Sequence, residues 1–467
     1  MFTLFLKYSI VYLQEIQIPV KHFFTSYIPY YRSNLKLAGP VMISQLGHTL
    51  VSTADSVIVG HFAGTIPLAA VSLVNSVFMV VLVLGLGVAY GITPLVAQEN
   101  GKKNYEECAR LLSNSIFLNI IVGLGLFVVV YFGSMWSLDH LDQEPAVVKE
   151  ARPYLLLLSL TIIPLMIFSA FKQFAEGLGF TRQAMNISIW GNVLNIILAI
   201  IFVKGMFGIE PMGVKGVGYS TLIDRCLMAM VMGWYVFKSK TFQGYIKSFK
   251  WFPLDRTRSW KIFQIGWPVG MQYVFEIGAF AAAAILAGTL GATQQAAHQV
   301  AINLAAITYM MASGIAAAAT IQTGHSLGSA NFTRLKRSAV ASYHIVLIFM
   351  GLMAILFASA NQLLPWIYTA DTDVIFLAAQ LLIIAGMFQL FDGTQVVGLG
   401  ILRGLSDVRV PTLITFVAYW VIGLPVAYLL GIHFQIGLKG IWYGLTLGLL
   451  SSSLLLFTRF RMRMRTL

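Results

Sequence analysis

Long apolar runs separated by short polar gaps form the dominant pattern along this chain. Most runs reach the roughly 20 residues that a helix needs to cross the hydrocarbon layer of a bilayer. Backbone polar groups in lipid must be satisfied internally, and these runs are far too long for barrel strands, so the pattern predicts helices. The predicted spans, numbered 1 to 12, are residues 37–61, 66–94, 109–132, 151–172, 183–204, 213–237, 262–287, 295–320, 338–360, 374–401, 410–431 and 440–458.

Composition agrees with this pattern. Of the 467 residues, 58% are hydrophobic and only 10% are charged, and the mean hydropathy is +0.79. A soluble domain is usually about half apolar and about a quarter charged. We therefore predict an all-α integral membrane protein with 12 transmembrane helices.

The net charge of +13 follows the predicted topology. Most Lys and Arg residues fall in alternate gaps, including Lys102–Lys103, and we assign Lys172 and Arg403 to the same face. The positive-inside rule places this face and both termini in the cytoplasm, as in a multi-pass protein of the cytoplasmic (inner) membrane. Topology and contact with anionic membrane lipids explain the excess of basic residues, so we predict no nucleic-acid partner.

The sequence contains an internal repeat. A shift of about 228 positions superimposes Pro40 on Pro268 and Gly60 on Gly288. The same shift superimposes Asn75 on Asn303, and with small adjustments further pairs coincide in order: Thr93 with Thr320, Gly101 with Gly328, Gly177 with Gly404, Gly213 with Gly437, and Gly216 with Gly440. An even number of helices in each half predicts two parallel six-helix repeats, an arrangement known in transporters, with the substrate site between them. Duplication in a channel or a membrane enzyme remains the alternative.

The repeat and the basic gaps define the predicted domain organisation. The segments are a cytoplasmic or interfacial N-terminal extension (1–36), an N-lobe (37–237), a basic cytoplasmic linker (238–261), a C-lobe (262–458) and a basic cytoplasmic tail (459–467).

Several charged residues lie inside the predicted spans. Asp55, Glu276 and Asp392 lie in spans 1, 7 and 10, and Asp224 and Arg225 lie in span 6. An acidic side chain at the bilayer centre costs at least about 2.5 kcal/mol, so it usually faces a cavity and has a function. Arg225 is the only Lys or Arg predicted inside a span and away from its ends, and it cannot neutralise four carboxylates. The excess must bind protons or cations, as ion-coupled transport requires.

Neutral polar residues extend these sites. Asn195 and Thr221 offer oxygen ligands that, with Asp55, suit a small hard cation. A structural hydrogen bond between helices is the alternative role for each neutral residue. The candidate substrate path consists of Gln45, Asn192, Gln272, Asn303, Asp224 and Arg225.

No motif indicates catalysis or a resident cofactor. The sequence lacks a GxxxxGK[ST] phosphate loop and a His/Cys cluster with metal spacing, and its only cysteines are Cys108 and Cys226. We therefore expect neither an enzyme nor an ATP-driven pump. The remaining energy source is an ion gradient or the gradient of the substrate itself.

Two groups of motifs resemble the multidrug and toxic compound extrusion (MATE) family. They are Pro40-Val-Met-Ile-Ser-Gln45, Asp55-Ser-Val-Ile-Val-Gly60, Leu68-Ala-Ala-Val-Ser72 and Pro94-Leu-Val-Ala-Gln98 in the first half, and Pro268-Val-Gly-Met-Gln-Tyr-Val-Phe-Glu276, Phe391-Asp-Gly-Thr-Gln395 and Leu402-Arg-Gly404 in the second. The resemblance covers roughly residues 35 to 458. It implies V-shaped lobes that alternate between inward-open and outward-open states, and export of amphipathic, often cationic compounds in exchange for Na+ or H+.

The resemblance also implies roles for individual residues. Asp55 matches the family's carboxylate in helix 1, and Asn195 and Thr221 match positions that join it in a cation site in some members. Glu276 and Asp392 match the acidic pair of the NorM-like branch. The implied Na+ sites are therefore Asp55/Asn195/Thr221 and Glu276/Asp392, with H+ as the alternative ion.

Two positions depart from the family pattern. Ala199 stands where some members carry a second polar ligand, and Phe388 replaces a tyrosine of some sodium-coupled members. We expect a monomer that exports small molecules. The competing interpretations are a lipid-linked saccharide or lipid flippase of the same superfamily, a membrane-embedded enzyme, and a channel.

Overall fold

The computed structural model describes residues 20–140, 144–251 and 254–467. Within these residues the chain forms long helices, and two of them contain a local break, at Gly91 and at Thr161. The twelve long helices are α1 (Val20–Phe62), α2 (Thr65–Gly101), α3 (Tyr105–His140), α4 (Pro145–Gly177), α5 (Thr181–Lys204), α6 (Val214–Lys238), α7 (Arg256–Thr289), α8 (Ala292–Gly328), α9 (Phe332–Ser359), α10 (Thr372–Gly404), α11 (Arg409–His433) and α12 (Leu438–Thr466).

Ten of these helices are long and apolar enough to cross a membrane by length and composition. The other two are α1 and α6, and α6 carries Asp224 and Arg225 in its interior. The prediction of an all-α membrane protein with two six-helix repeats is confirmed. We refer to α1–α6 as the N-lobe and to α7–α12 as the C-lobe, although the predicted domain limits themselves stay a prediction.

The N-terminal extension predicted at residues 1–36 lies partly outside the described residues. Its described part, residues 20–36, forms the beginning of α1. A short helix, Lys240–Ile246, follows α6 in the predicted linker. In α11, two π-helical stretches, Val417–Gly423 and Leu429–His433, flank one α-helical turn.

The repeat is visible in backbone conformation as well as in sequence. Lys103 and Ala330 both adopt left-handed conformations, with φ of 61° and 53°, in the loops after α2 and α8. Gly213 and Gly437 also share positive φ before α6 and α12. L-residues rarely adopt positive φ, so its recurrence at equivalent non-glycine positions indicates that the two loops are folded alike.

The two lobes meet at one end of the bundle, which we call the basic end because it carries the loop containing Lys102 and Lys103. Here α2 crosses α7 so closely that a Cβ at Gly87 would overlap the backbone of Gly270. The side-chain hydrogen bonds that join the lobes begin at Gln45–Ser313 and continue toward the basic end. The lobes are therefore closed against each other at the basic end.

The first half of α1 and the first half of α7 each contact the opposite lobe. Asn34 of α1 hydrogen-bonds Ser338 and Ser342 of α9. Arg258 of α7 donates two hydrogen bonds, of 2.7 and 2.9 Å, to the carboxylate of Glu107 at the start of α3. Just before α7, the backbone N–H of Thr257 and the Arg258 guanidinium lower the pKa of the Asp255 carboxyl. Parallel, charge-assisted bonds of this kind fix the start of α7 on the N-lobe.

Candidate functional site

The N-lobe site is built on α1, α5 and α6. Asp55 of α1 is 8% exposed, and its Oδ1 is buried without a hydrogen-bond partner. Asn195 donates a 3.3 Å hydrogen bond to the Thr221 hydroxyl, while the Asn195 Oδ1 has no partner. Unpaired buried oxygens are unfavourable unless a proton or cation occupies them, so these oxygens are candidates for ion binding, and the site that the sequence predicts stays a prediction.

Arg225 does not neutralise this site by direct contact. Its guanidinium donates to the Thr161 hydroxyl at the break in α4 and lies 5.7 Å from the centre of the Phe78 ring. Within the described ranges, no ion pair closer than 4.0 Å joins Arg225 to Asp55 or Asp224. Arg225 therefore balances the carboxylates only at longer range.

The C-lobe site contains the predicted acidic pair. Glu276 of α7 is 6% exposed and Asp392 of α10 is 3% exposed, and the two carboxyls interact electrostatically. The Tyr309 hydroxyl of α8 donates a 3.4 Å hydrogen bond to Glu276, and the Asp392 Oδ1 has no partner. Two buried like charges that interact in this way repel each other, so the pair favours uptake of a proton or cation.

An aromatic layer borders the C-lobe pair. Phe388, one turn before Asp392, is fully buried and its ring centroid lies 5.3 Å from that of Trp442. The Tyr419 hydroxyl, carried by the first π-helical stretch of α11, donates to Gln395 at 2.8 Å. Phe388 thus supplies no oxygen at its position, as the sequence predicts. In the N-lobe, Ala199 is likewise fully buried and supplies none.

The residues of the predicted substrate path do not form one continuous surface. Gln45 lines a cavity between the lobes, whereas Gln272 bonds the Thr412 hydroxyl within the C-lobe at 3.0 Å. Asn303 accepts a 2.9 Å hydrogen bond from Gln299 on the same helix. Asn192 lies against Gly47 at the contact between α5 and α1. Their assignment to a substrate path stays a prediction.

The inter-lobe cavity contains charges that the sequence analysis did not place there. It has a volume of about 50 Å³, enough for one or two water molecules, and lies on the basic side of Gln45. Lys172 and Glu176 of α4 line it from the N-lobe, and Arg403 of α10 lines it from the C-lobe. The Arg403 guanidinium lies 5.9 Å from the centre of the Tyr90 ring, and its Nε has no hydrogen-bond partner.

The expectation that Arg225 is the only cation within the spans was therefore wrong. Lys172 is 7% exposed and forms a 3.9 Å ion pair with Glu176, which is 4% exposed. The hydropathy pattern does not reveal this pair because α4 runs on to Gly177, past the apolar window that predicted its end at residue 172. The signal available in the sequence was the spacing of Lys172 and Glu176 near a predicted helix end. Residues four positions apart are neighbours on one face of a helix.

Glu176 and Arg403 occupy equivalent positions of the repeat, because the shift that relates Gly177 to Gly404 also relates these two residues. Their side chains carry opposite charges. Both interact electrostatically with Tyr90 between them. We predict that Glu176→Gln and Arg403→Gln each raise the fraction of molecules open at the basic end. Their coupling energy should be about 0.5–3 kcal/mol in a double-mutant cycle, the range for residues sharing one network.

Spin labels at Lys102→Cys and Ser329→Cys, both exposed and equivalent in the repeat, measure this opening after Cys108 and Cys226 are replaced. Lys439→Gln, which removes an exposed cation at the opposite end, serves as the control. Label distances that stay at their wild-type values in both single variants would contradict the prediction.

The twofold repeat, the closure at one end and the buried carboxylates in each lobe are the features of a membrane transporter. A family model described as MatE matches residues 40–201 and again residues 268–429, which are separated by the shift that the sequence comparison gives. The chain belongs to the MATE family and resembles its NorM-like branch.

Relatives of similar length support this placement. The chain is 33% identical over 434 residues to "Multidrug resistance protein NorM" of Photobacterium profundum, covering 92% of this chain and 95% of the relative. It is 31% identical over 445 residues to "Multidrug resistance protein MdtK" of Yersinia pseudotuberculosis serotype O:1b, covering 93% and 96%.

Solved structures share the fold. A MATE protein crystallised in the bent conformation superimposes with a TM-score of 0.86 at 21% identity, covering 94% of this chain and 96% of that chain. The eukaryotic MATE transporter AtDTX14 gives a TM-score of 0.83 at 19% identity, covering 93% and 96%.

Proposed function

We propose that this protein is a secondary active multidrug efflux antiporter. It exports amphipathic, often cationic compounds in exchange for Na+ or H+ by alternating access. The names of the relatives support multidrug export, and the observation that carries ion coupling is the presence of buried, unpaired carboxylate oxygens in both lobes. Relatives named as multidrug resistance proteins also favour a non-enzymatic role, and the proposal includes no cofactor beyond the coupling ion.

The proposal places the basic end in the cytoplasm and the protein in the cytoplasmic membrane, with both termini inside. Tight packing at Gly87 and the inter-lobe hydrogen bonds then correspond to a state closed toward the cytoplasm. The protein works as a monomer in contact with membrane lipids. Each cycle opens the basic end to receive a compound and closes it before release outside.

Exchange follows from competition for the carboxylates. A cationic compound binds while Asp55, Glu276 and Asp392 are ionised. Coupling ions arriving from outside neutralise these groups and remove the attraction for the compound. Ion and compound must prefer opposite lobe arrangements, because a ligand that binds both arrangements equally shifts no equilibrium.

Asp55, Asn195 and Thr221 form the N-lobe coupling site in this proposal. Glu276 and Asp392, with the Tyr309 hydroxyl, form the C-lobe site. Both sites offer few oxygens, because Ala199 and Phe388 supply none at their positions. A proton needs a single acceptor oxygen, whereas a hard metal cation needs several, so the lack of an oxygen at these two positions favours protons over Na+.

Efflux of ethidium, a cationic amphipathic dye, from vesicles with separately imposed proton and sodium gradients tests the proposal. We expect a gradient of one of these ions to drive efflux. Asp55→Asn should lower the driven rate by about tenfold, which corresponds to roughly 1.4 kcal/mol. Glu210→Gln, at an exposed position between α5 and α6, is the matched control and should retain the wild-type rate.

Efflux that is indifferent to both gradients in the wild type would overturn the antiport proposal. So would full coupling in the Asp55, Glu276 and Asp392 amide variants alike. If Glu210→Gln lowers the efflux rate as much as Asp55→Asn does, the loss of efflux comes from removing any acidic charge and not from the coupling site.

A lipid flippase is the second candidate, and one observation favours it more than the sequence did. Lys172 and Arg403 place two cations in the inter-lobe cavity, where an anionic lipid headgroup would bind. Glu176 and the small volume of the cavity in this state count against it. Transbilayer movement of a fluorescent anionic lipid, measured in the same vesicles, separates the two functions, since the antiporter should not accelerate it.

A further inference from the structure

The cavity between the lobes is lined by two cationic side chains whose N–H groups have few acceptors. Lys172 of α4 lines it from the N-lobe, and Arg403 of α10 lines it from the C-lobe. An ammonium group carries three N–H donors and a guanidinium carries five. Neither side chain forms a hydrogen bond with any described residue, and the Arg403 Nε is buried. Enclosed donors are unfavourable unless an acceptor reaches them.

Arg403 is also a cation without a direct counter-charge. Lys172 is 7% exposed and pairs with Glu176 of its own helix at 3.9 Å, so these two charges balance each other. Among the residues that the structure describes, no carboxylate lies within 4.0 Å of the Arg403 guanidinium. Glu276 interacts with it at longer range. The cavity therefore carries an excess of one positive charge at its wall, which an anion would compensate.

The neutral polar groups of the cavity do not supply that anion. The Thr93 hydroxyl donates to the Gln173 side chain at 2.8 Å, and the Thr320 hydroxyl donates to backbone carbonyl oxygens. The Tyr90 ring lies 5.9 Å from the Arg403 guanidinium and offers only the partial negative charge of its face. The compensating charge must therefore come from solution.

The size of the cavity limits which anion can enter. Its volume of about 50 Å³ holds one or two water molecules. A chloride ion is close to a water molecule in size, so one ion fits, whereas a phospholipid headgroup or a larger organic anion does not. A guanidinium can direct two parallel N–H groups at one anion, which makes Arg403 the stronger of the two cationic ligands.

We propose that the inter-lobe cavity binds one small monovalent anion, chloride or a similar halide, at the Arg403 guanidinium, with Lys172 attracting it from the opposite wall. The two cations belong to different lobes, so the site is complete only while the lobes are closed at the basic end. The anion therefore stabilises the closed arrangement, because a ligand that binds one arrangement better shifts the equilibrium toward it. This site is separate from the coupling carboxylates and does not depend on which ion drives transport.

Bromide tests the site directly, because it replaces chloride and scatters X-rays anomalously. In crystals of the full-length protein with the basic end closed, we expect one anomalous peak in contact with the Arg403 guanidinium. Density for water alone at this position, with no anomalous signal, would overturn the inference.

The distance between spin labels at residues 102 and 329 tests the effect of the anion on closure. The labelled protein lacks Cys108 and Cys226, and gluconate replaces chloride at constant ionic strength so that screening stays the same. Chloride at about ten times its dissociation constant should raise the ratio of closed to open molecules about tenfold. Arg403→Gln should abolish this response. Arg409→Gln, at an exposed position where α11 begins, is the matched control and should keep it.

Two outcomes of the distance measurement would overturn the inference. One is an identical distance distribution of the wild type in chloride and in gluconate. The other is a chloride response of wild-type size in Arg403→Gln, which would place the anion elsewhere. If the elution profile in size-exclusion chromatography shows that Arg403→Gln does not fold, Arg403→Lys and Lys172→Gln take its place. Each should need a severalfold higher chloride concentration for the same response, and an unchanged concentration dependence in both would contradict the proposal.

Discussion

Glu276→Gln and Asp392→Asn are each expected to reduce gradient-driven ethidium efflux by at least about tenfold, or roughly 1.4 kcal/mol. The two carboxyls are almost fully buried and interact with each other, so their electrostatic repulsion favours uptake of an ion. An amide in either position removes that repulsion and one ionisable group. Vesicle efflux under an imposed gradient measures the loss, and dye binding without a gradient shows whether the substrate site survives.

Asp373→Asn is the matched control because Asp373 is exposed in the first turn of the same helix, α10. Tyr309→Phe offers a graded variant. Removing its 3.4 Å hydrogen bond to Glu276 should lower the rate by about fivefold, since one such bond contributes about 1 kcal/mol. Wild-type rates in both amide variants would exclude the acidic pair from coupling.

Gly87→Ala should produce the second large effect, by holding the basic end apart. The added methyl group would overlap backbone atoms of Gly270, which cannot rotate away as a flexible side chain would. Overpacking of this kind costs about 1–3 kcal/mol, which corresponds to roughly a five- to 150-fold shift between the two lobe arrangements. We expect a longer distance between labels at residues 102 and 329, together with slower efflux.

Glycines in other surroundings provide a graded series for this experiment. At Gly270 the nearest atom to an added Cβ is the Leu84 carbonyl oxygen at 3.0 Å, so Gly270→Ala should have a smaller effect. Gly39 has no such neighbour within 4 Å, so Gly39→Ala should behave like the wild type. Equal label distances across the three variants would show that backbone contact does not control closure.

Much of the fold follows from sequence because lipid imposes one simple requirement on every span. Apolar runs of sufficient length mark the helices, and ordered matches such as Pro40 with Pro268 reveal the repeat. Helix ends are less accessible to this reasoning. The hydropathy pattern does not mark the continuation of α4 through Glu176 or of α1 back to Val20, because polar and charged residues interrupt the apolar runs there.

The candidate site shows the same division. A carboxylate in an apolar run, such as Asp55, is conspicuous whatever surrounds it. Arg403 does not stand out in this way, since an arginine at the end of a span usually contacts water or lipid headgroups. Its position in a cavity depends on contact between the two lobes near Tyr90, which involves residues far apart in sequence. The orientation of Arg225 toward Thr161 rather than Asp224 likewise depends on tertiary packing.

The opposite charges of Glu176 and Arg403 have a consequence for how such a molecule can arise. In a symmetric dimer of six-helix chains, equivalent positions hold the same residue, and the two copies facing one cavity would repel each other. Gene fusion lets each copy mutate on its own, so one can become acidic and the other basic. Electrostatic attraction across the axis that relates the two repeats is therefore possible in the fused chain and impossible in a homodimeric ancestor. The pair of opposite charges thus arose by divergence after duplication.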